Sequence, residues 1–262
     1  MVLAACAFAQ AATTMAPTQQ RGILKVGLYK NFAPFSDNGK GADVDIAEAL
    51  AARLGLKLSA LWFDADENME DDLRNMVWKG HYLGYGPADV MIHVPIDREY
   101  MAKNDKVSFF APYHRERYGI ARNLERIPTL ETLAALEGKQ VGVEGDTLGA
   151  TVLLAADGGR YRETLKFYKT AAEAVAALKA GELAAVLAQQ GELEGGLAGD
   201  ARFPIEPVPA PPLHSRQWPL GLAVKAQNAV LATALQQAMN ELLAEGAIGR
   251  IMARHGVAHR RP

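Results

Sequence analysis

Two connecting loops in this chain of 262 residues carry groups that could bind a small molecule. Phe35 lies between the apolar run 23–28 and a helical pattern, where an exposed ring is either a ligand platform or a lid over the core. In the second loop, the backbone N–H groups of Gly145, Asp146 and Thr147 precede a helix and could bind an anion. The alternative is that Asp146 or Thr147 is only the N-cap of that helix.

Strands and helices alternate through most of the chain, which predicts an α/β fold with mostly parallel sheets. Pro34 and the dipeptide Asn38-Gly39 keep the Phe35 loop out of any central strand. Strands are predicted over 23–28, 57–63, 88–94, 107–113, 118–122, 140–143, 183–187 and 220–225.

Several polar residues mark the expected helix starts. Asp43 and Asn68 are predicted to cap helices over 44–54 and 68–79. In the second half, Thr129 is predicted to cap a short helix, and Thr170 with its partner three residues later forms a capping box. The chain is expected to return through the proline-rich stretch 203–219 to a closing helix with an apolar stripe over 231–242.

Composition excludes several classes of protein. Hydrophobic residues make up 49% of the chain, enough for a real core, and the net charge is −2. Neither a nucleic acid nor an anionic membrane is therefore expected as a partner, and no uninterrupted apolar stretch is long enough to span a bilayer. No cofactor motif is present, and a monomer is expected.

The first residues are small, apolar and uncharged, which is typical of the hydrophobic and cleavage parts of a secretory signal peptide. Their basic start is missing, so the true start is expected further upstream. Residues 1–20 are interpreted as a cleaved signal peptide or a disordered N-terminus of a periplasmic protein. Leu3-Ala4-Ala5-Cys6 also fits a lipobox, so a lipid anchor at Cys6 is the alternative.

The run from Phe32 to Ala47, with its Phe-Ala-Pro-Phe, Asn-Gly and Asp-Val-Asp motifs, resembles the opening of the type II extracellular solute-binding proteins of family 3, the amino-acid-binding group. Segments 219–225 and 240–246 are similar to the final strand and helix of that family. The resemblance covers essentially the whole mature chain. It implies a two-domain type II periplasmic binding protein fold that closes on a solute around a hinge of two crossing strands.

On this resemblance, residues 22–117 and 220–262 form a discontinuous domain one. Residues 118–219, including the return segment, form domain two. The implied function is to bind a small polar solute in the cleft between the domains and to deliver it to an ABC-type transport system.

The family holds an amino acid by an arginine of domain one, a helix N-terminus of domain two and an acid that follows a later strand. The resemblance assigns the carboxylate to Arg98, because a guanidinium forms two parallel hydrogen bonds with that group. Arg98 could instead be a surface residue paired with Asp97 or Glu99.

At another position of the family's ligand site, this chain has a different residue type. Gln189 stands where the family has the acid that holds the ammonium, and an amide is a weaker partner, so a standard α-amino acid is in doubt. The ligand-binding candidates are Asn31, Phe35, Arg98, Asp146, Thr147 and Gln189.

An aromatic, glycine-rich insertion separates residue 80 from the third strand. Its flanks, Leu73-Arg74-Asn75 and Asp89-Val90-Met91, are similar to the MxaJ-like proteins, which implies an accessory role to a periplasmic quinoprotein (PQQ) alcohol dehydrogenase or its cytochrome c. His81, Tyr82 and Tyr85 are interpreted as a partner-binding patch. A cleft wall, or rings packed on the domain's own sheet, are the alternatives.

A periplasmic dehydratase on the same fold is a further alternative, for which Glu144 and Asp146 are the candidate acids; catalysis is not expected. His93, on an apolar strand, is expected to be a satisfied core or cleft histidine. No metal site is expected, because His255 and His259 lie at a C-terminus that should fray. The charge run 114–117 near the hinge is expected to be solvated and paired.

Overall fold

The computed structural model describes residues 16–66, 68–210, 213 and 217–262. The strands are β1 Ile23–Tyr29, β2 Lys57–Phe63, β3 Val90–Pro95, β4 Val107–Arg122, β5 Val141–Glu144, β6 Leu165–Tyr168, β7 Ala185–Gln189, β8 Ile205–Pro207 and β9 Gln217–Lys225. The α-helices are α1 Ala16–Arg21, α2 Ala42–Arg53, α3 Met69–Leu73, α4 Arg98–Lys103, α5 Leu148–Ala155, α6 Ala171–Lys179, α7 Gln190–Leu197, α8 Ala229–Ala244 and α9 Ala247–Arg254.

The N-terminal predictions fall mostly outside these residues. The signal peptide over 1–15 and the lipid anchor at Cys6 lie beyond the described range, whereas residues 16–20 belong to α1. Within the described range, no helix is both long and apolar enough to cross a bilayer.

The strands form a sheet in the order β2-β1-β3-β9-β4-β7-β5-β6, with β8 paired to β4. β1 pairs in parallel with β2 and β3, and β5 pairs in parallel with β6 and β7. β9 is antiparallel to β3 and β4. The expected α/β fold is confirmed. The prediction of mostly parallel sheets holds only in part, because among the described strands four pairs are parallel and four are antiparallel.

One long strand, β4, joins the two halves of the molecule. Residues 107–117 pair with β9, and residues 118–122 pair with β7. The sequence predicted two separate strands here, over 107–113 and 118–122, and the structure has one. Pro112, which has no N–H to donate, lies within the register shift between Phe110 and His114. Each half has its own buried apolar core. The two-domain architecture is thereby confirmed, and the residue boundaries given above stay a prediction.

The prediction that Asp43 caps α2 is wrong. Gly41 is the N-cap, with φ of 133°, and Asp43 lies inside the helix. A Cβ at Gly41 would lie 2.1 Å from the carbonyl oxygen of Phe35, so the loop and the helix can meet here only at a glycine. Asp43 is therefore free to turn inward, and it is fully buried.

Other predicted caps have mixed outcomes. Asn68 caps α3 as predicted, since its side-chain oxygen accepts a hydrogen bond from the Asp71 N–H at 2.9 Å. After α3 the chain continues as a π-helix, Arg74–Trp78, before the aromatic insertion. The prediction for Thr129 is wrong, because the short 3₁₀ turn is Leu133–Leu136 and its N-cap is Thr132.

The C-terminus does not fray. After α9, the Arg260 carbonyl accepts a hydrogen bond from the Arg115 N–H at 2.8 Å, and His259 Nε2 lies 2.7 Å from the Tyr113 carbonyl oxygen. This C-terminal segment, residues 257–261, covers the charge run 114–117. His114 and Glu116 are consequently fully buried, and the prediction of a solvated run is wrong for both.

Candidate ligand site between the domains

The loop after β1 in domain one contacts α7 of domain two directly. A Cβ at Gly191 would lie 2.5 Å from Phe35 Cζ, and one at Gly195 would lie 2.5 Å from Pro34 Cγ. Only glycine on this face of α7 permits such a close approach. Phe35 is fully buried in the core of domain one, so of the two alternatives the structure shows the lid over that core and not an exposed platform. Its role in ligand binding stays a prediction.

His93 lies beneath this lid. Its backbone φ is 65°, at a register shift in the pairing of β3 with β9. Its Nδ1 lies 2.8 Å from one Asp43 carboxylate oxygen, and the Tyr113 hydroxyl donates to the other at 2.9 Å. Because a carboxylate accepts hydrogen bonds, this contact places the His93 proton on Nδ1. The ring packs against Phe32 and Phe35 at centroid distances of 4.7 and 4.5 Å.

Glu116 occupies the point where β4 passes from one domain to the other. Its carboxylate accepts a hydrogen bond from the Gly191 N–H at 3.2 Å, so it links the hinge strand to the start of α7. Arg260 Nη2 lies 3.6 Å away and His114 Nε2 lies 3.9 Å away. Burial raises the pKa of Glu116, and burial together with the charge of Arg260 lowers the pKa of His114 to about 3.

Domain two has two more carboxyl groups whose pKa is raised, those of Glu192 and Glu144. Glu192, in the first turn of α7, is 7% exposed, and burial followed by the charges of Glu144 and Glu116 raises its pKa well above the usual value. Burial also raises the pKa of Glu144, which accepts a hydrogen bond from the Ala171 N–H at 2.9 Å. These groups hold helix starts in place, and no contact of theirs favours the dehydratase alternative.

A cavity of about 340 Å³ has walls from both domains. One wall is the loop after β1 and the other is the start of α6. The lining residues are Asn31, Ala33, Asp37, Lys169, Thr170, Ala172 and Glu173. A larger cavity of about 440 Å³ is lined by mostly apolar residues of domain two alone, so a molecule there would not touch both domains.

Arg98 lies at the start of α4 and is exposed. Within residues 16–66, 68–210 and 217–262, no hydrogen bond or ion pair engages its guanidinium, so pairing with Asp97 or Glu99 is not observed. Asp97 instead caps α4 by accepting hydrogen bonds from the N–H groups of Glu99 and Tyr100 at 3.0 Å. The ligand role of Arg98 stays a prediction.

The structure places Asp146, Thr147 and Gln189 at helix starts of domain two. The Thr147 hydroxyl is used within the chain, because it accepts from the Ala150 N–H at 3.2 Å and donates to the Glu144 carbonyl at 2.9 Å. Asp146 is exposed, and Gln189 is half-buried at the end of β7. Of the six candidates, Asn31 is the one that lines the shared cavity.

The aromatic insertion forms an ordered turn on domain one. The His81 ring stacks on the Tyr85 ring with 4.4 Å between the ring centroids, and its centroid lies 4.2 Å from that of the Tyr82 ring. Tyr82 is 86% exposed and Leu83 is 68% exposed, so these two side chains do not pack on the domain's own sheet. Tyr85 is closer to the sheet, with its ring 5.5 Å from that of Phe63.

Sequence reasoning missed the groups that connect the domains. Glu116 and Arg260 belong to strongly charged stretches, where burial leaves no local signal. Asp43 has the sequence position of a helix cap, and Lys169 precedes the capping residue Thr170. Helix capping alone accounted for both positions, so neither was considered as a residue between the domains. Among the described residues, no group of three His, Cys, Asp or Glu side chains is arranged to hold a metal ion.

Comparison with known proteins identifies the fold. No family model matches the chain, and no curated protein matches it. Among solved structures, an ancestral cationic amino acid solute-binding protein is 19% identical, with a TM-score of 0.71 over 92% of this chain and 99% of the other.

Two further solved structures show the same likeness. An amino acid ABC transporter substrate-binding protein from Streptococcus pneumoniae bound to L-arginine is 20% identical, with a TM-score of 0.68 over 94% and 98% of the two chains. A solute receptor for L-cysteine from Neisseria gonorrhoeae is 18% identical, with a TM-score of 0.64 over 92% and 93%. The chain therefore has the two-domain fold of the type II periplasmic binding proteins, as the resemblance implied.

Proposed function

We propose that this protein is a periplasmic solute-binding protein that closes on a small polar solute and serves as the substrate-binding component of an ABC-type transport system. The observation that carries the proposal is the cavity with Asn31 and Asp37 on one domain and Lys169 and Thr170 on the other. A molecule bound there touches both domains, so its binding favours the closed arrangement. The compared proteins of the same fold, two of which are described as bound to L-arginine or as receptors for L-cysteine, support this class of function.

The test is thermal unfolding of the purified chain against a panel of L-amino acids, organic acids, amines and alcohol-oxidation products. A ligand at ~100 times its Kd adds about 2.7 kcal/mol to the free energy of unfolding, which raises Tm by several degrees. We expect such a shift for a restricted class of compounds. No shift with any compound would contradict the proposal.

The proposed role of Arg98 in binding the solute is tested by one substitution. If its guanidinium binds a solute carboxylate, Arg98→Ala weakens solute binding by about 1.5–3 kcal/mol, because a charged hydrogen-bond partner is lost. Unchanged affinity, measured by isothermal titration calorimetry, would remove Arg98 from the site.

A second candidate function is favoured by the exposure of the aromatic insertion. Tyr82 and Leu83 form an apolar projection on domain one and do not line the cavity, which suits docking of a partner such as a quinoprotein alcohol dehydrogenase or its cytochrome c. In this case, surface plasmon resonance with such a purified partner gives a signal that the double variant Tyr82→Ser, Leu83→Ser loses. The same variant keeps any solute-dependent Tm shift.

A further inference from the structure

The carboxylate of Glu116 lies where β4 passes from domain one to domain two. Residues 107–117 of this strand pair with β9, and residues 118–122 pair with β7. The side chain is fully buried, and the Arg117 N–H donates to its Oε1 at 2.9 Å, which fixes its direction. A buried carboxylate needs hydrogen-bond donors, so the groups that face its oxygens indicate its role.

The first turn of α7 supplies the donor from domain two. The Gly191 N–H is shared between the two carboxylate oxygens of Glu116, at 3.2 and 3.4 Å. A Cβ at position 191 would lie 2.7 Å from Oε2, so a glycine is needed to leave room for the carboxylate. Two residues earlier, the Gln189 N–H donates to the Glu192 carboxylate at 3.3 Å. The start of α7 is therefore capped once from within domain two and once by a carboxylate from β4.

Two further donors approach the same carboxylate from domain one. Arg260 Nη2 lies 3.6 Å from Oε1, and His114 Nε2 lies 3.9 Å from Oε2. Because His114 Nδ1 accepts a hydrogen bond from the Arg260 N–H at 3.3 Å, the proton of the neutral ring is on Nε2 and faces Glu116. Burial raises the pKa of Glu116, whereas the charge of Arg260 and the backbone donors lower it.

The contacts beside Glu116 also cross between the domains. The Arg117 guanidinium donates to the side-chain oxygen of Gln190, the first residue of α7. Arg260, which approaches Glu116 by Nη2, donates from Nη1 to Glu194 at 2.7 Å. Positions 190, 191 and 194 of α7 are thus engaged from β4 and from the C-terminal segment, with Glu116 among these contacts.

We propose that Glu116 is an internal ligand of domain two, which holds the two domains closed when no solute is bound. The four polar groups that approach its oxygens, two backbone N–H groups, a guanidinium and an imidazole N–H, are all donors, as a carboxylate site requires. The carboxylate belongs to the strand that joins the domains, and its contact with Gly191 reaches from one domain to the other. A solute carboxylate can reach this end of α7 only when Glu116 leaves it.

The test measures the distance between spin labels at positions 52 and 166 of a Cys6→Ser chain, without solute, by pulsed electron spin resonance. The two labels lie on α2 and β6, in different domains. We expect the parent chain to give a short distance with a narrow distribution. Glu116→Ala is expected to lengthen it by several ångströms, because α7 loses the carboxylate that joins it to domain one.

Sodium acetate should then restore the parent distance in Glu116→Ala, because acetate replaces the methylene and carboxylate groups that the substitution removes. Sodium chloride at the same concentration should not restore it. Glu116→Gln, which keeps the size of the side chain and loses its charge, should also lengthen the distance. Acetate should have no effect on that variant, since no space is left for it.

Asp72→Ala is the matched control, because it also removes a buried carboxylate. Asp72 is 4% exposed and accepts hydrogen bonds from the Tyr29 hydroxyl at 2.7 Å and from the Asp66 N–H at 2.8 Å, both in domain one. This variant should keep the parent distance with and without acetate.

Three results would each overturn the proposal. The first is a long, broad distance distribution in the solute-free parent chain, and the second is the parent distance in both Glu116 variants. The third is a lengthened distance in Glu116→Ala that acetate and sodium chloride change equally, since the side chain would then act by packing alone. If Glu116→Ala does not fold, the parent chain and Glu116→Gln decide. None of these results depends on a solute, so this proposal and the proposed function can fail separately.

Discussion

At the scale of single residues, the buried ionisable groups around the hinge decide how the domains meet. His114 is fully buried under the C-terminal segment, and its Nδ1 accepts a hydrogen bond from the Arg260 N–H at 3.3 Å. Its protonated form has no favourable place there, because burial and the charge of Arg260 both oppose it. Glu116 beside it has a pKa shifted in the other direction, upward by burial.

Folding stability should therefore fall with acid through His114. Its pKa is lowered from 6.5 to about 3 in the folded chain, so the unfolded chain binds one more proton between these values. The contribution is complete above pH 6.5 and is lost as the pH falls toward 3, with a slope of up to about 1.4 kcal/mol per pH unit. His114→Asn, which keeps an acceptor for the Arg260 N–H, should flatten this part of the profile in urea unfolding.

The control for this measurement is His81→Gln on the exposed insertion, which should keep the wild-type profile. Glu116 contributes with the opposite sign, since a carboxyl with a raised pKa loses stabilisation as the pH rises. Because Glu116 is present in both His114→Asn and His81→Gln, the profiles of these two variants are compared with each other. Equal slopes for His114→Asn and His81→Gln would contradict the assignment.

At the scale of elements, α7 is the part of domain two that fits against domain one. It begins at the end of β7, and its glycines at positions 191 and 195 face Phe35 and Pro34. The helix loses intrinsic stability through these glycines and gains a surface without side chains. The interdomain contact therefore depends on residues that appear unfavourable when the helix is considered alone.

Gly191→Ala should hold the two domains apart. The new Cβ would lie 2.5 Å from Phe35 Cζ and 2.7 Å from Glu116 Oε2, distances that require the helix to move away. We expect a longer distance between spin labels at positions 52 and 166 in a Cys6→Ser chain, measured by pulsed electron spin resonance, and a loss of about 1–3 kcal/mol in stability from overpacking.

Gly196→Ala provides the matched control, because its Cβ would contact only Val175 of the same domain, at 3.0 Å. The label distance should then remain that of the parent chain. If Gly191→Ala also kept the label distance of the parent chain, the contact between Phe35 and Gly191 would not set the spacing of the domains.

At the scale of the whole molecule, the C-terminal segment connects three parts of the fold. It follows α9 of domain one, lies along β4 at the crossing, and reaches α7 of domain two. The Ala258 N–H donates to one oxygen of Glu194 at 2.9 Å, and the Arg260 guanidinium donates to the other at 2.7 Å. These contacts hold the two domains together independently of any solute.

Removing the Arg260 side chain should release this connection. Arg260→Met leaves Glu194 without its cation and the buried Glu116 without its nearest guanidinium, at a cost of about 1–3 kcal/mol. In the same labelled chain we expect a broader distribution of label distances that extends to longer values. Arg261→Met, with an exposed side chain one position along, should not change it. A narrow, unchanged distribution in Arg260→Met would exclude the connection.

The sequence by itself determined the elements and the class of fold. The apolar spacing gave strands such as Lys57–Phe63 and helices such as the one capped by Asn68, because periodicity and caps are local properties of the chain. The Phe-Ala-Pro-Phe and Asp-Val-Asp motifs carried the resemblance to the two-domain binding proteins, which the fold confirms. Asn31 is the predicted ligand residue that lines the shared cavity.

Only the tertiary structure decided which polar groups are buried and which face a cavity. Asp43 has the sequence position of a cap, but Gly41 starts the helix and Asp43 turns inward to His93. Glu116 belongs to a run of charges that solvates well in isolation, and it is buried because a segment about 145 residues away folds over it. Such burial depends on contacts between distant parts of the chain, and no local pattern records it.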